Sequence, residues 1–295
     1  MVKTQPRKED RMNHYFAIDI GGTQIKYGLI SQNGDVLTNG ESDSPTRVTR
    51  EEFLKKLKNS IEENSDEQLR GIGIATLGTV DRNKGMVTGA CNNFQILKDL
   101  PIKEELEKTF NLPVSIMNDV DAAALGEAWF GRSKDLDKFY CITYGTGIGG
   151  ALVINKSVYK GANCAEGEVG YLWKSRGTSY EELASAKSFS DECAKINDGD
   201  GRVLAEALKG NPKFRDILEA WLFDVASGII DIIYMLDPGT VVIGGAVSGI
   251  GELFTKRLTA QIDCMILDDY KGKTHIIPAT HGNTSNMLVA ITPLL

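Results

Sequence analysis

Apolar residues fall along this chain in two rhythms: short β-branched runs, and longer stretches with apolar positions three or four apart. Phe16-Ala17-Ile18 leads to Asp19, and a second apolar run, Ile25 to Ile30, follows Gly21-Gly22-Thr23. Short apolar runs bounded by glycine predict strands, so 15–30 reads as two strands around a Gly-Gly turn, with a further strand near 36–42. Phe53, Leu54, Leu57 and Ile61 repeat at helical spacing over 49–63, and Thr49 with Glu52 forms a capping-box signature. Gly71 to Ala75 predicts a buried strand ending at a glycine turn, Gly78. A short helix follows Pro101 over 102–110, then a strand over 114–117 and a helix over 121–130. Residues 138–145 and 150–160 predict a second strand pair around a glycine-rich turn. Beyond about residue 180 the pattern turns helical. Long helices are expected over 218–236 and 250–265, strands at 241–243 and 276–277, and a last helix over 285–294. Strands alternating with helices, with no low-complexity linker, predict α/β layers. The strand-pair pattern begins again near residue 120, the best domain boundary. Two glycine turns on similar strand pairs point to two related halves without amounting to a sequence repeat.

The glycine turns carry the candidate chemistry. At Asp19-Ile20-Gly21-Gly22-Thr23 a strand delivers a carboxylate, then two glycines and a hydroxyl. Backbone N–H groups at such a turn can approach a ligand closely and cradle an anion. A carboxylate beside an anion cradle makes sense with a divalent cation between acid and phosphate. An ordinary Gly-Gly hairpin explains this turn alone equally well. Gly145-Thr146-Gly147-Ile148-Gly149-Gly150 has the dinucleotide spacing, but Ala151 to Ile154 continues as a strand where that motif needs a helix. It reads as a second hairpin whose N–H groups, with Thr143 and Thr146, could hold phosphate. Gly244-Gly245-Ala246, after a buried strand, allows close approach of a flat group such as a purine. All three turns together are much less expected by chance than any one. Asp119 follows a strand at the domain boundary, where α/β proteins place ligands. Asn118, Asp119 and Asp121 all suit helix capping. Asp121 is expected to cap, and Asp119 to take the proton of an attacking hydroxyl.

Composition narrows the classes. The 295 residues include 40 Asp and Glu against 33 Lys and Arg, a formal net charge of -7. That lacks the footprint of a general nucleic-acid binder. No apolar run approaches membrane-spanning length, and the polar start, 1–12, reads as a disordered tail with no signal-peptide core. Met12 is a candidate initiator. Five scattered cysteines and three histidines form neither a disulfide framework nor a zinc site, so a cytoplasmic protein is expected.

Together these segments resemble the ROK family (repressor, open reading frame, kinase) within the actin-like ATPase superfamily. The resemblance rests on Asp19-Ile-Gly-Gly-Thr-Gln-Ile-Lys26, Gly71 to Gly78, Asn118-Asp119-Val-Asp-Ala-Ala-Ala124, Thr143 to Gly150, Gly161 to Gly170 and Ile243 to Val247. It implies a two-domain α/β actin-like ATPase (ribonuclease H-like) fold, with central mixed sheets flanked by helices. A small domain over 13–120, joined by a C-terminal helix over 284–295, and a larger one over 121–283 would close on ATP and a sugar. Asp119 is then the general base. Asn118 and Glu168 hold sugar hydroxyls, Gly78 and Asn92 or Asn93 line the pocket, and Glu181 is a further sugar ligand. Asp19 organises Mg2+ indirectly. Gly21, Gly22, Thr23, Lys26, Thr143, Gly145, Thr146 and Gly147 face the phosphates, and Gly244 and Gly245 border the adenosine. A homodimer is the family expectation.

Departures from the family pattern bear on the substrate. The usual run ends Gly-Glu-Ile-Gly-His, its His a zinc ligand; here it is Gly167-Glu168-Val169-Gly170-Tyr171, and no cysteine follows through Ser179. A phenol does not replace imidazole and thiolates as zinc ligands, so no zinc is expected. Zinc-less members, including β-glucoside kinases, resemble this chain in having Tyr here. Tyr171 either packs on a sugar or its aglycone, or merely fills the volume of the lost loop. The expected function is an ATP-dependent kinase phosphorylating a hydroxyl, O6 first, of a β-glucoside or glucose-like sugar. Glucokinase and N-acetylmannosamine kinase are alternatives, and a non-catalytic sugar sensor is the alternative of another class. A repressor of the family carries a helix-turn-helix domain ahead of the first glycine motif, and only 18 residues precede Asp19.

Overall fold

The buried run of β1 (His14–Ile20) lies at the centre of a five-stranded sheet. The structure is a computed structural model that describes residues 12–45, 48–89, 94–280 and 291–294. Around β1 are β2 (Gln24–Ser31), β3 (Val36–Asp43), β4 (Leu69–Thr76) and, after the β5 (Thr79–Asp81) and β6 (Met86–Gly89) hairpin, β7 (Val114–Asn118). The sheet order is β3-β2-β1-β4-β7. The β1–β2 and β2–β3 pairs are antiparallel, and the β1–β4 and β4–β7 pairs parallel. Helices α1 (Arg50–Asn64) and α2 (Ile102–Phe110) supply Phe53, Leu57, Ile61, Ile102 and Leu106 to its core. Each such buried side chain contributes about 1.5–3 kcal/mol. The Thr49–Glu52 capping box of α1 forms as its sequence predicts.

Helix α3 (Asp119–Trp129) leads into a second sheet built the same way. Its strands are β8 (Lys138–Tyr144), β9 (Ile148–Ile154), β10 (Ser157–Val158), β13 (Thr240–Gly245) and β14 (His275–Pro278), in the order β10-β9-β8-β13-β14. Two antiparallel pairs are again followed by two parallel ones, so the duplication that the glycine turns point to is structural. Between β10 and β13 come the small hairpin β11 (Trp173–Ser175) and β12 (Thr178–Ser179), then α4 (Tyr180–Ala184), α5 (Ala186–Ile196), α6 (Leu204–Leu208) and the 22-residue α7 (Arg215–Leu236). Helix α8 (Glu252–Met265) separates β13 from β14. Trp221, Val225, Ile229, Phe254 and Leu258 anchor α7 and α8 in this core.

The chain divides into two compact units, Met1–Ala122 with Thr284–Leu295, and Ala123–Asn283. Asn92, Asn93 and most of the helix expected over 284–295 lie outside the described residues, as does 1–11. No helix among the described residues is long and apolar enough to cross a membrane.

Candidate active site

In the first unit β1 ends by presenting Asp19. Lys26 stands directly opposite it in the antiparallel register, so both project from one face of the sheet. The turn beyond is tied by the Gly21 N–H donating to the Gln24 carbonyl at 3.0 Å, and by the Ser44 hydroxyl donating to the Gly21 carbonyl at 2.6 Å. Gly22 and Thr23 are exposed at its tip. A Cβ on Gly21 would lie 2.9 Å from the Gln24 carbonyl, which is why glycine stands there.

Strand β7 delivers Asn118 and Asp119 to the start of α3. Asn118 Oδ1 accepts from the N–H groups of Val120 at 2.8 Å and Asp121 at 3.3 Å, and its Nδ2 donates to the Gly78 carbonyl at 3.0 Å. Asn118 is therefore the helix cap, which corrects the expectation that Asp121 caps. The helix begins two residues earlier than its apolar pattern predicts, because capping by Asn118 admits Asp119 to the first turn. Asp121 instead pairs with Arg82, from the turn after β5. Nothing in the sequence around Arg82 marks this partnership across 39 positions. Asn118 also holds Gly78, at φ 91°, beside the same loop.

Asp119 accepts from its neighbour's N–H, Val120, at 3.0 Å. The residue is partly exposed, but its carboxyl is buried. Burial, then the negative charge of Asp19, pushes its pKa up to about 7. A carboxylate poised near neutrality is suited to general-base work. The Asp19 carboxylate, a hard oxygen donor whose charge reaches Asp119, fits a divalent ion carrying phosphates better than zinc. Among the described residues no three His, Cys, Asp or Glu side chains gather as a metal cage.

In the second unit the β8–β9 turn is closed by the Gly145 N–H donating to the Gly147 carbonyl at 3.0 Å, with Thr146 exposed. Strand β9 starts at once, so no helix N-terminus follows the glycine spacing. Glu181, on α4, reaches this turn: its Oε2 accepts from the Ile148 N–H at 3.3 Å. A Cβ on Gly147 or Gly170 would meet that same oxygen at 2.7 or 2.9 Å. The Gly145 and Ile148 N–H groups are thus both taken, one by the Gly147 carbonyl and one by the Glu181 carboxylate. Glu168 and Tyr171 lie on the adjacent loop. Burial raises the Tyr171 phenol pKa, and the nearby charges of Glu181 and then Glu168 raise it further. Thr143 sits opposite Gly244 in the β8–β13 register, its methyl 3.1 Å from where a Gly244 Cβ would lie. Gly245, at φ 78°, closes the strand end against the Tyr144 carbonyl.

Sequence reasoning also missed Lys174, which pairs with Asp231 on α7 and lies 5.0 Å from the Tyr180 ring centroid. It fastens the β11–β12 hairpin to α7.

A ROK glucokinase from Streptomyces griseus, solved with glucose and AMPPNP, superposes with a TM-score of 0.81 at 25% identity, over 94% of this chain and 98% of that one. The fold is that of the actin-like ATPases, and the class is the ATP-dependent carbohydrate kinases. The chain belongs to the ROK family, whose sequence pattern matches residues 15–292. An uncharacterised Clostridium perfringens protein is 32% identical, covering 94% of this chain and 96% of its own length. A Listeria monocytogenes β-glucoside kinase is 29% identical, covering 93% and 95%.

Proposed function

We propose that this ROK kinase transfers the γ-phosphate of ATP to a hydroxyl, O6 first, of a β-glucoside or glucose-like sugar. The observation that carries the reading is Asp119: a carboxyl at a strand end, pinned at a helix start, beside Asp19, with its pKa near 7. In this reading Asp119 removes the hydroxyl proton as the oxygen attacks the γ-phosphorus. Asn118 orients Asp119 and offers its remaining amide hydrogen to the sugar. Glu168 and Glu181 accept from further sugar hydroxyls, and the phenol of Tyr171 packs on the ring. Gly21, Gly22, Thr23 and Lys26, with Gly145, Thr146 and Gly147, receive the phosphates, and Gly244 and Gly245 border the adenosine. Mg2+ held with Asp19, when bound, neutralises phosphate charge. Positioning and charge neutralisation then supply most of the rate. No zinc takes part, and the protein works as a cytoplasmic homodimer.

A coupled ATPase assay with Mg2+ tests this against glucose, N-acetylmannosamine, N-acetylglucosamine, cellobiose, gentiobiose and salicin. ADP release with cellobiose, gentiobiose or salicin is expected, and kcat/KM should fall tenfold per pH unit below about 7 as Asp119 protonates. Turnover confined to N-acetylmannosamine would replace the substrate assignment. Sugar binding with no turnover across the panel would make the protein a sensor.

A further inference from the structure

Trp173 is 72% exposed and Tyr171 54%, with Leu172 between them also on the surface. Three consecutive large apolar residues in water form an unusual patch, and here it is not a loose loop. Lys174 points the other way, its side chain mostly covered, into Asp231 and the face of Tyr180. Strand alternation then directs Trp173 and Ser175 to the opposite face. The β11–β12 pairing of Trp173 with Ser179 and Ser175 with Thr178 stiffens the hairpin further. Trp173, Lys174, Ser175, Arg176 and Gly177 line a shallow, open cavity of about 390 Å³. The patch is continuous along the chain with Glu168 and Tyr171, and β12 runs straight into α4, which carries Glu181.

We infer that this hairpin is the aglycone subsite: the Trp173 indole stacks against the second ring of a β-glucoside whose glucosyl ring lies at Glu168, Tyr171 and Glu181. The inference rests on the sugar-kinase reading and names its substrate class. β-Linkage keeps every ring substituent equatorial, so a β-glucoside is an extended, flat molecule with apolar C–H faces. An exposed indole on a rigid strand offers such a face a partner with few torsions to freeze. Ser175 and Arg176 at the rim supply a hydroxyl and a donor fork for the ring hydroxyls. Free glucose, with no second ring, does not reach the hairpin.

The test is calorimetric binding of cellobiose, salicin and glucose to the full chain, for wild type, Trp173→Ala and Trp173→Phe. Trp173→Ala should weaken cellobiose and salicin about tenfold, leave glucose within twofold, and Trp173→Phe should recover most of the loss. Equal weakening for all three sugars, or none for any, would overturn the subsite. So would unchanged sugar affinity together with loss of self-association by sedimentation, which would assign the patch to a second copy of the chain. Affinity is read independently of turnover. A wild type that binds β-glucosides through Trp173 but releases no ADP would sink the kinase reading and keep the subsite.

Discussion

Asp119→Asn is expected to bind sugar with wild-type affinity and to lose kcat by about a thousandfold or more. Asparagine keeps the size of the side chain, and its carbonyl oxygen can still accept from Val120 N–H as Asp119 Oδ1 does. What it lacks is the capacity to take up a proton near pH 7. Calorimetry for binding and a coupled assay for turnover separate these two quantities, and a variant with a tenth of wild-type activity would rule Asp119 out as the base. The same variant carries a stability signature. An Asp whose folded-state pKa lies above its unfolded value holds its proton more tightly when folded. Stability is then lost as pH rises from the ordinary value of 3.8 to about 7, and the loss is complete above that. Asparagine does not ionise and escapes this loss. Asp119→Asn should therefore melt a few degrees above wild type at pH 8, a gain on the order of 2 kcal/mol after allowing for solvent contact. At pH 5 the gain should be less than half as large. A variant that melts lower than wild type at pH 8 would mean that the Asp119 charge is compensated in the fold. Stability and catalysis pull in opposite directions at this position because the burial that makes the carboxyl a base also makes its charge costly.

What the sequence made legible was local. The Asp19-Gly21-Gly22-Thr23 hairpin and the Thr49–Glu52 capping box are each written within a few residues and appear where the pattern puts them, whereas α3 starts two residues ahead of its pattern. The duplicated sheet was half legible: the glycine turns recur, but the common strand order emerges only from pairings across long separations. The cap at α3 went to the wrong residue because Asn118, Asp119 and Asp121 all have capping side chains. The choice was settled by Arg82, 39 positions away from Asp121. The β11–β12 hairpin was invisible for a similar reason. Its strands are two and three residues long and carry no apolar alternation. The hairpin is held by a lysine whose partner lies 57 positions on. Short elements fastened by distant charges leave no periodicity to read. Glu181 was singled out only through the family resemblance, and its reach to Ile148 on the glycine turn depends on how α4 packs, which no spacing in the sequence encodes.

Gly167→Ala is expected to be the most damaging single methyl in the second unit. Gly167 sits at φ 78°, and a Cβ there would lie 1.7 Å from the Gly150 carbonyl oxygen. The obstacle is backbone in the middle of β9, so no rotamer change relieves it. The loop has to lift, and it then loses the Gly150 N–H donating to the Gly167 carbonyl at 2.8 Å. Glu168 and Tyr171 follow within four residues and move with it. Strain, overpacking and the lost hydrogen bond together are worth about 3 kcal/mol or more, enough for a drop of several degrees in Tm. Sugar affinity should fall at least tenfold, because a carboxylate displaced by an ångström no longer meets its hydroxyl. Gly177→Ala is the matched control. Gly177 has nearly the same φ, 79°, with nothing within 4 Å of its Cβ position. It suffers the backbone strain alone, a loss of about 1 kcal/mol, and should keep its affinity for glucose, which does not reach the hairpin that Gly177 turns. If both variants lose equal stability and both keep the sugar, the Gly150–Gly167 contact does not position Glu168. If only Gly167→Ala loses the sugar, close backbone approach rather than turn conformation is what fixes the glycine there.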